Sequence, residues 1–376
     1  MGERKLLAEN AIERLNAQIN SGTALAEKQK EHGSLLFATL KGDRKAGRTL
    51  QEAISTSDVP LFLTPAINAL FLAEWANSAP VWDQFSERFE TDRYTNIEWN
   101  GIEFDTRDLS GAQDGGVYSG YGLPNVGELS EYPAMNFKTE TVNGSQGKHG
   151  LRVRMSWETS LRTGSFSWVP RAVSRMAQLA GEQEDLWLAK VLVTAAGAPN
   201  PAFAVAPLNP VLSYQAIEAA MLQSQSVRVN GRRTNATQFQ LVTGFGLSNR
   251  VRDILNTTEI RATTGSTQFI INPTLGGFGY TAFDALDQYG GAPVSNDWFL
   301  VPLNSARPAL LALRHEDAPV PQVFIKSSNS LSLGGGAVDP MNGSFDTDDT
   351  EAKVRVVGGA VALSPQVIVA SNGTGV

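Results

Sequence analysis

Three histidines, His32, His149 and His315, are the first candidates for acid–base or metal chemistry in this chain. None of them has a second histidine or a carboxylate at the spacing that a metal site on a helix requires, because His315 precedes Glu316 but no histidine follows four residues later. All three lie in polar or charged stretches. We therefore expect each histidine at the surface and no metal site among them.

Other sequence patterns that carry chemistry are absent or weak. There is no G-x-S-x-G pentapeptide, and the absence of cysteine excludes disulfides, thiolate nucleophiles and cysteine-ligated zinc. "GFGYTA", from Gly277 to Ala282, matches a permissive dinucleotide fingerprint, and Asp297 follows at about the right distance. Pro273 and Leu275, however, separate the preceding apolar "FII" from these glycines. A nucleotide-binding enzyme stays only as a distant alternative.

Two acidic clusters complete the search for chemistry. Glu182–Asp185 falls on a helical pattern, where Arg175 and Lys190 can offset its charge. Asp346–Glu351 departs from the spacing of a calcium-binding loop, which predicts a solvated turn. We therefore predict no catalytic residue, no metal and no cofactor, and expect that the protein is not an enzyme.

The composition instead indicates a protein that makes extensive contacts with other subunits. The chain has 376 residues, of which 42% are hydrophobic and only 18% charged, against about 25% in an average soluble domain. Low charge predicts extensive subunit contacts. The net charge of −7 argues against a protein that reads nucleic acid through a basic surface. No apolar run reaches the length of a membrane span, and the N-terminus lacks the apolar core of a signal peptide.

The N-terminal third contains an amphipathic helix and an apolar segment. Residues 3–20 place Leu7 and Leu15 on one stripe, and a polar stretch with a short basic run then continues to about residue 58, which predicts an extended arm. From residue 59 to residue 89 the chain is apolar and aromatic, with a helix predicted from Pro65 to about Asn77.

A long β-hairpin is predicted next. Its limbs are "MNFKTETV" and "LRVRMSWET", in which apolar and charged residues alternate, and its tip is "NGSQGKHG". A two-stranded hairpin is marginal alone, so we expect this one to lie on another surface, its own or a neighbour's. The predicted inter-subunit contacts are Phe137, Lys138, Lys148, Arg152, Arg154 and Trp157 of this region, with Leu7 and Leu15 of the arm.

The second half begins with the longest helical pattern of the chain, residues 167–196, with Pro170 near its start and Gly197 after its end. A mixed region follows, with helices predicted at 213–225 and 244–255 and strands at "FQLVT", "FII", "WFLVPL" and "ALLALR". The ending "SFDTDDTEAKVRVVGGAVALSPQVIVAS" predicts two last strands, with a bend or bulge at Gly358 and Gly359.

This order of elements resembles the major capsid proteins of tailed bacteriophages, the Hong Kong 97 (HK97) type of shell protein. "GYGLPNVGELSEYP", residues 120–133, is similar to a segment of their extended loops, and "DTDDTEAKVRVVGGAVALSPQVIV" is similar to their usual ending. The resemblance implies an α+β HK97-like fold. Its segments would be an N-terminal arm (1–58), a peripheral domain (59–198 with 326–376) containing an extended loop (94–166) and a spine helix (167–196), and an axial domain (199–325).

The resemblance also implies a function. The chain would assemble as a homo-oligomer of pentamers and hexamers into an icosahedral shell around double-stranded DNA in the virion, after assembly in the host cytoplasm. The last strands would return to the peripheral domain beside the strands that continue the extended loop. Portal, scaffolding and decoration proteins are the implied partners, with neither a membrane nor sequence-specific DNA binding. Lys138 and Lys148 lie where the type member carries its cross-linking lysine, but its asparagine and glutamate have no match. An encapsulin-type nanocompartment is the alternative.

Overall fold

The computed structural model describes residues 71–78, 80–104, 113–114, 117–118, 126, 128, 137–156, 168–229, 232–233, 236–256, 259–261, 269–271, 278–290, 296–303, 307–326 and 349–375. The predicted arm, residues 1–58, lies outside them. Within the described residues the chain is a mixture of helices and of parallel and antiparallel strands. The predicted α+β class is confirmed.

Five segments of the described chain are helical. They are residues 71–77, Trp168–Leu192 (α1), Tyr214–Ser226 (α2), Ser248–Asn256 (α3) and Asp284–Gly290 (α4). Short 3₁₀ turns occupy Trp82–Gln84, Phe245–Leu247 and Pro365–Val367. The predicted helices at 167–196, 213–225 and 244–255 are therefore confirmed to within a few residues at each end.

The strands of the described chain are Glu87–Thr91 (β1), Thr95–Phe104 (β2), Gln113–Asp114 (β3), Val117–Tyr118 (β4), Phe137–Ser145 (β5), Gly147–Ser156 (β6), Ala204–Val205 (β7), Arg228–Val229 (β8), Arg232–Arg233 (β9), Gln238–Thr243 (β10), Glu259–Arg261 (β11), Phe269–Ile271 (β12), Phe278–Ala282 (β13), Trp298–Leu303 (β14), Leu310–His315 (β15), Gln322–Ile325 (β16), Asp349–Ala362 (β17) and Val369–Ser371 (β18).

The chain divides into two compact units. The first comprises the described residues of Met1–Pro80, with Gly147–Gln183 and Asp317–Val357; the second comprises Val81–Gln146, Glu184–Glu316 and Gly358–Val376. These divisions cut both α1 and β17. The domain bounds expected from the sequence do not coincide with them and stay a prediction.

A five-stranded sheet organises the second unit. Its order is β13-β10-β14-β18-β7, in which β10–β13 and β18–β7 are parallel and the other neighbours antiparallel. Its central strand β14, "WFLVPL", is buried almost throughout, which is typical of a strand that is covered on both faces. Successive side chains point to opposite faces, so Phe299 and Val301 join one core while Trp298 and Leu300 join the other.

Helices cover both faces of this sheet. Leu188 and Leu192 of α1 and Leu286 of α4 contribute to the core with Phe299. Ile217 of α2 and Val251 of α3 contribute to the core with Leu300. The second unit also holds the pairs β1–β15, parallel, and β15 with residues 358–362 of β17, antiparallel.

The first unit is built around residues 349–357 of β17. β16 pairs antiparallel with them from Gln322 opposite Arg355 to Ile325 opposite Ala352, and β6 is also a partner of β17. Its buried apolar side chains come from residues 71–77, the first part of α1, β16 and β17: Phe71, Leu72, Trp75, Val173, Met176, Ala177, Ala180, Val323, Ala352, Val354, Val356 and Val357.

The partner predicted for the hairpin strand is wrong. β5 does not pair with β6, the described part of the second limb; it pairs antiparallel with β2, from Thr95 opposite Ser145 to Phe104 opposite Phe137, and β6 pairs with β17 instead. Alternation of polar and apolar residues indicates the two faces of a strand but carries no information about which strand lies beside it. Residues 147–156 therefore lie beside the returning C-terminal strand, as the family resemblance implied.

The ending of the chain differs from the prediction in two ways. β17 runs without interruption through Gly358 and Gly359, and its register with β15 is regular from Gly358 opposite Arg314 to Ala362 opposite Leu310, so the predicted bend is absent. The last strand, β18, does not stay with the strands that continue the hairpin, since it lies between β14 and β7 in the sheet of the second unit.

Close packing explains the two glycines. A Cβ atom on Gly358 would lie 2.6 Å from both the Leu313 carbonyl oxygen and the Trp187 ring, and one on Gly359 would collide with the Ser145 carbonyl oxygen. Glycine is required here for the approach of neighbouring groups rather than for a special backbone angle.

Candidate functional site

The predicted contact residues lie on strands β5 and β6 where the structure describes them. Phe137 stands opposite Phe104 and Lys138 opposite Glu103 in the β5–β2 pair. Lys148, Arg152 and Arg154 are exposed residues of β6. They share one face of that strand because their sequence separations are even. Trp157, Leu7 and Leu15 lie outside the described residues.

Arg152 and Arg154 engage the acids of β17 in the first unit. Arg154 Nε donates a hydrogen bond to Asp349 Oδ2 and lies 3.5 Å from Glu351 Oε1, while Arg152 Nη1 lies 3.6 Å from Glu351 Oε2. The bond to Asp349 raises the pKa of Arg154 above its usual value. Lys326 Nζ adds a third cation, 3.7 Å from Glu351.

This network corrects the prediction that the acidic cluster is an exposed turn. Asp349 and Glu351 belong to strand β17 and are only 5% and 9% exposed, while Asp346 lies outside the described residues. A carboxylate is buried at such a level only when cations or donors stabilise it. Arg152 and Arg154 supply that stabilisation while their own side chains remain 63% and 51% exposed.

A second charged network is buried in the second unit. Arg314 Nη2 lies 2.7 Å from Glu184 Oε1, and the side chains are 5% and 2% exposed. Trp82 Nε1 donates to Glu184 Oε2 at 3.1 Å, and the Trp82 backbone N–H donates to Asp185 Oδ1 at 3.2 Å. This network joins the 3₁₀ turn at Trp82, the end of α1 and strand β15.

The sequence predicted that Glu182–Asp185 lie on a helix face where Arg175 and Lys190 offset their charge. That is correct for Glu182, which pairs with Arg175 at 3.0 Å, and wrong for Glu184, which is buried and pairs with Arg314. The helix period would have shown the difference, because Glu184 is spaced four and eight residues from the buried residues Leu188 and Leu192.

Gln146 anchors the chain where β5 ends and β6 begins. Its Nε2 donates to the carbonyl oxygens of Thr91 and Arg314, at 3.3 and 3.4 Å, and its backbone N–H donates to the Tyr94 carbonyl at 2.8 Å. The sequence "NGSQGKHG" predicted the turn at the tip of a hairpin here. Gln146 is instead a buried link between β5 and β6, 7% exposed, and these bonds hold it against β1 and β15.

Two histidines lie elsewhere than predicted. His315 ends strand β15, is 9% exposed, and its ring lies 4.9 Å from that of Tyr94. The charged residues after it suggested a loop, but pairing with Thr91 extends the strand to this position. His149 is a half-buried residue of β6 rather than part of a tip, and His32 lies outside the described residues.

The dinucleotide fingerprint is not realised. Phe278–Ala282 is a strand that pairs in parallel with β10, so Gly279 does not lie in the turn between strand and helix that a pyrophosphate site requires. Among the described residues no group of three or more histidine, aspartate or glutamate side chains could hold a metal ion. No helix of the described chain is long and apolar enough to cross a membrane.

Asp297 is the acidic residue at the distance that a dinucleotide fingerprint requires. It directly precedes β14 and is buried. It is 1% exposed, its Oδ2 has no hydrogen-bond partner among the described residues, and burial raises its pKa from 3.8 to about 7. The carboxyl group is thus a titratable group inside the second unit.

Comparison with known proteins gives one family. Residues 139–371, more than half of the chain, match the model of a family described as phage capsid protein. No curated protein is significantly similar to the chain.

Solved structures that match the chain share little sequence with it. A virus-like particle from Pyrococcus furiosus is 12% identical, with 80% of this chain and 95% of that chain covered and a TM-score of 0.40. The structure described as Gordonia phage Cozz is 11% identical, with 77% and 85% covered and a TM-score of 0.44. The capsid of a native GTA particle is 9% identical, with 77% and 88% covered and a TM-score of 0.43.

Proposed function

The chain belongs to the phage capsid protein family, as its sequence predicted, and we propose that it is the major capsid protein of a tailed phage. Many copies would assemble as pentamers and hexamers into an icosahedral shell around double-stranded DNA. The observation that carries this proposal is the family match, which extends from β5 to the last strand.

The exposed cations of β6 support a role in contacts between copies. Lys148, Arg152 and Arg154 share one face of this strand, and the two arginines remain more than half exposed although they pair with acids of their own chain. Arginine can bind a second carboxylate with its remaining N–H donors. We propose that this row contacts acidic groups of a neighbouring copy, so that many modest interfaces add up across the shell.

Net charge is consistent with enclosed DNA. At −7, the chain carries no overall excess of positive charge to hold phosphates tightly. Weak attraction to DNA would let the duplex move while it enters the shell. In this proposal the protein contacts DNA without reading its sequence.

The remaining assignments follow from the same proposal. The protein would act structurally rather than as an enzyme, without a cofactor, and would be found in the virion after assembly in the host cytoplasm. Portal, scaffolding and decoration proteins would be its partners. The arm (1–58), the peripheral domain (59–198 with 326–376) and the axial domain (199–325) would be its functional segments.

Electron microscopy of the purified protein and of native particles tests the function. We expect closed icosahedral shells, and DNA that survives nuclease treatment of the intact native particles. A protein that stays monomeric or dimeric under all assembly conditions would argue strongly against a capsid. Shells that enclose protein cargo and no DNA would instead indicate an encapsulin-type nanocompartment.

A further inference from the structure

Three segments of more than 20 residues contain no charged residue, and two of them meet in the fold. Residues 191–217 and residues 356–376 lack Asp, Glu, Lys, Arg and His, although 18% of the whole chain is charged. A segment of 27 residues with the average composition would carry about five charges. The first segment contains residues that are far from buried, so the need for an apolar core does not account for its composition.

The fold brings these two segments together in the second unit. β7 pairs in parallel with β18, and the Ala206 N–H donates to the Ala370 carbonyl at 2.9 Å. Ser371 Oγ donates to the Pro210 carbonyl at 2.9 Å, and the Gly375 N–H donates to the Asn209 carbonyl at 2.8 Å. Part of the surface of this unit is therefore formed by two charge-free segments side by side.

The loop held by these bonds presents an apolar side chain to solvent. Leu208 is 81% exposed and has a φ of 64°, and Asn209 after it has a φ of 42°. The left-handed region is uncommon for a residue other than glycine, and it persists only where the surroundings impose it. In the isolated subunit this strained backbone exposes the Leu208 side chain to water, so the strain is not offset by packing of that side chain.

Three more exposed apolar residues lie near this loop, two beside it in the sequence and one beside a residue that bonds strand β7. Val205 and Val211 flank the loop and are 57% and 41% exposed. Gln223 Nε2 of α2 donates to the Val205 carbonyl at 3.1 Å, which places its neighbour Leu222, 62% exposed, near this strand. Glu218, one helical turn before Leu222, is the first charged residue after the uncharged segment. We call Val205, Leu208, Val211 and Leu222 the apolar patch.

We propose that the apolar patch is a contact site for a second copy of this chain. The inference rests on the proposed function, because a shell protein is surrounded by copies of itself. Absence of charge at the centre, with a charged residue at the edge, is the composition of a protein interface core and rim. A DNA surface would instead require cations, of which neither segment has any.

Substitutions at Leu208 test this contact in the full chain. Leu208→Asp places a charge at the centre of the patch and should raise the protein concentration needed for assembly at least about tenfold, the effect of losing one central contact. Leu208→Gly removes the side chain while relieving the backbone, so the unassembled subunit should unfold at the same or a higher temperature while assembly weakens. Light scattering and sedimentation velocity measure assembly, and circular dichroism measures unfolding.

Phe245→Asp is the matched control. Phe245 is 54% exposed, belongs to the same unit and follows β10, which is three strands from β7 in the sheet, about 14 Å away. We expect this variant to assemble as the wild type does. If both Leu208 variants assemble like the wild type, or if Phe245→Asp blocks assembly as strongly, the contact site is wrong and the capsid function stands. If the wild-type chain itself does not assemble under any condition, the proposed capsid function is wrong, and the contact site falls with it.

Discussion

Glu184 and Arg314 form an ion pair of 2.7 Å inside the second unit, with side chains only 2% and 5% exposed. One residue lies in helix α1 and the other in strand β15, so the pair connects a helix to a sheet. Trp82 Nε1 donates to the second oxygen of the same carboxylate, at 3.1 Å. Both carboxylate oxygens are thus engaged away from water.

Removing one partner of this pair should destabilise the protein strongly. Arg314→Met leaves the Glu184 carboxylate buried without its cation, and we expect a loss of about 3–5 kcal/mol in the free energy of unfolding. Urea unfolding measures the change. Arg175→Met is the control, because it breaks the exposed Arg175–Glu182 pair and should lose no more than about 1 kcal/mol. Equal effects of the two substitutions would contradict the buried network.

The double variant Glu184→Gln with Arg314→Met tests whether the unpaired negative charge of Glu184 causes the instability expected for Arg314→Met. A neutral amide is far easier to bury than an unpaired carboxylate, and its oxygen can still accept from Trp82. The double variant should therefore be more stable than Arg314→Met alone. A double variant that is no more stable than Arg314→Met would contradict the ion pair, because it would show that the unpaired charge of Glu184 is not what destabilises the single variant.

Gly358→Ala should be destabilising because the added methyl group has no space. Its Cβ would lie 2.6 Å from the Leu313 carbonyl oxygen and from the Trp187 ring. We expect a loss of about 1–3 kcal/mol, measured by thermal unfolding. Trp187→Phe, made alone and with Gly358→Ala, is the companion variant: it relieves only the ring contact, so the double variant should recover part of the loss. A neutral Gly358→Ala variant would mean that the strands do not approach this closely.

Asp297 should make stability depend on pH. Burial raises its pKa from 3.8 to about 7, so the folded state favours the protonated form. Asp297 makes its full contribution to the free energy of unfolding below about pH 4. That contribution is lost as pH rises through 7, with a total loss on the order of 2–4 kcal/mol. Asp297→Asn keeps a neutral side chain at every pH. It should match the wild type near pH 4 and exceed it at pH 8 in urea unfolding; a variant with the same pH profile as the wild type would refute this role.

Ser213 should stabilise the start of α2. Its side chain accepts a hydrogen bond from the Ala216 N–H at 3.2 Å, as an N-cap residue does. Ser213→Ala should therefore lose about 1 kcal/mol in thermal unfolding. Ser226→Ala, at the exposed last residue of the same helix, should be within about 0.5 kcal/mol of the wild type. If the two serines cannot be distinguished, the cap does not stabilise the helix.

Local patterns were sufficient for many elements. The predicted strand "WFLVPL" is β14 residue for residue, and the helix predicted at 213–225 is Tyr214–Ser226. Both segments have a strong local signal: one is a continuous apolar run, and the other begins at a serine cap. The order of such segments was enough to indicate the capsid family, which the family match then confirmed.

Partners between distant segments could not be predicted in the same way. Nothing in the residues of "MNFKTETV" favours β2 over β6 as a neighbour, since both have alternating side chains that fit a pleated sheet. Acids followed by apolar residues likewise suggested an exposed turn, because the sequence does not show that Arg154 lies beside Asp349.

The sequence by itself determined the low charge, the absence of cysteine, the helical and strand periods, and the charge-free segments 191–217 and 356–376. Only the tertiary structure decided which of these residues meet. It buried Glu184 against Arg314 and placed residues 205–211 beside the last strand. The physical reason is the distance along the sequence over which each effect acts. Periodicity and capping depend on a few neighbouring residues, whereas burial and ion pairing depend on segments that are more than a hundred positions apart.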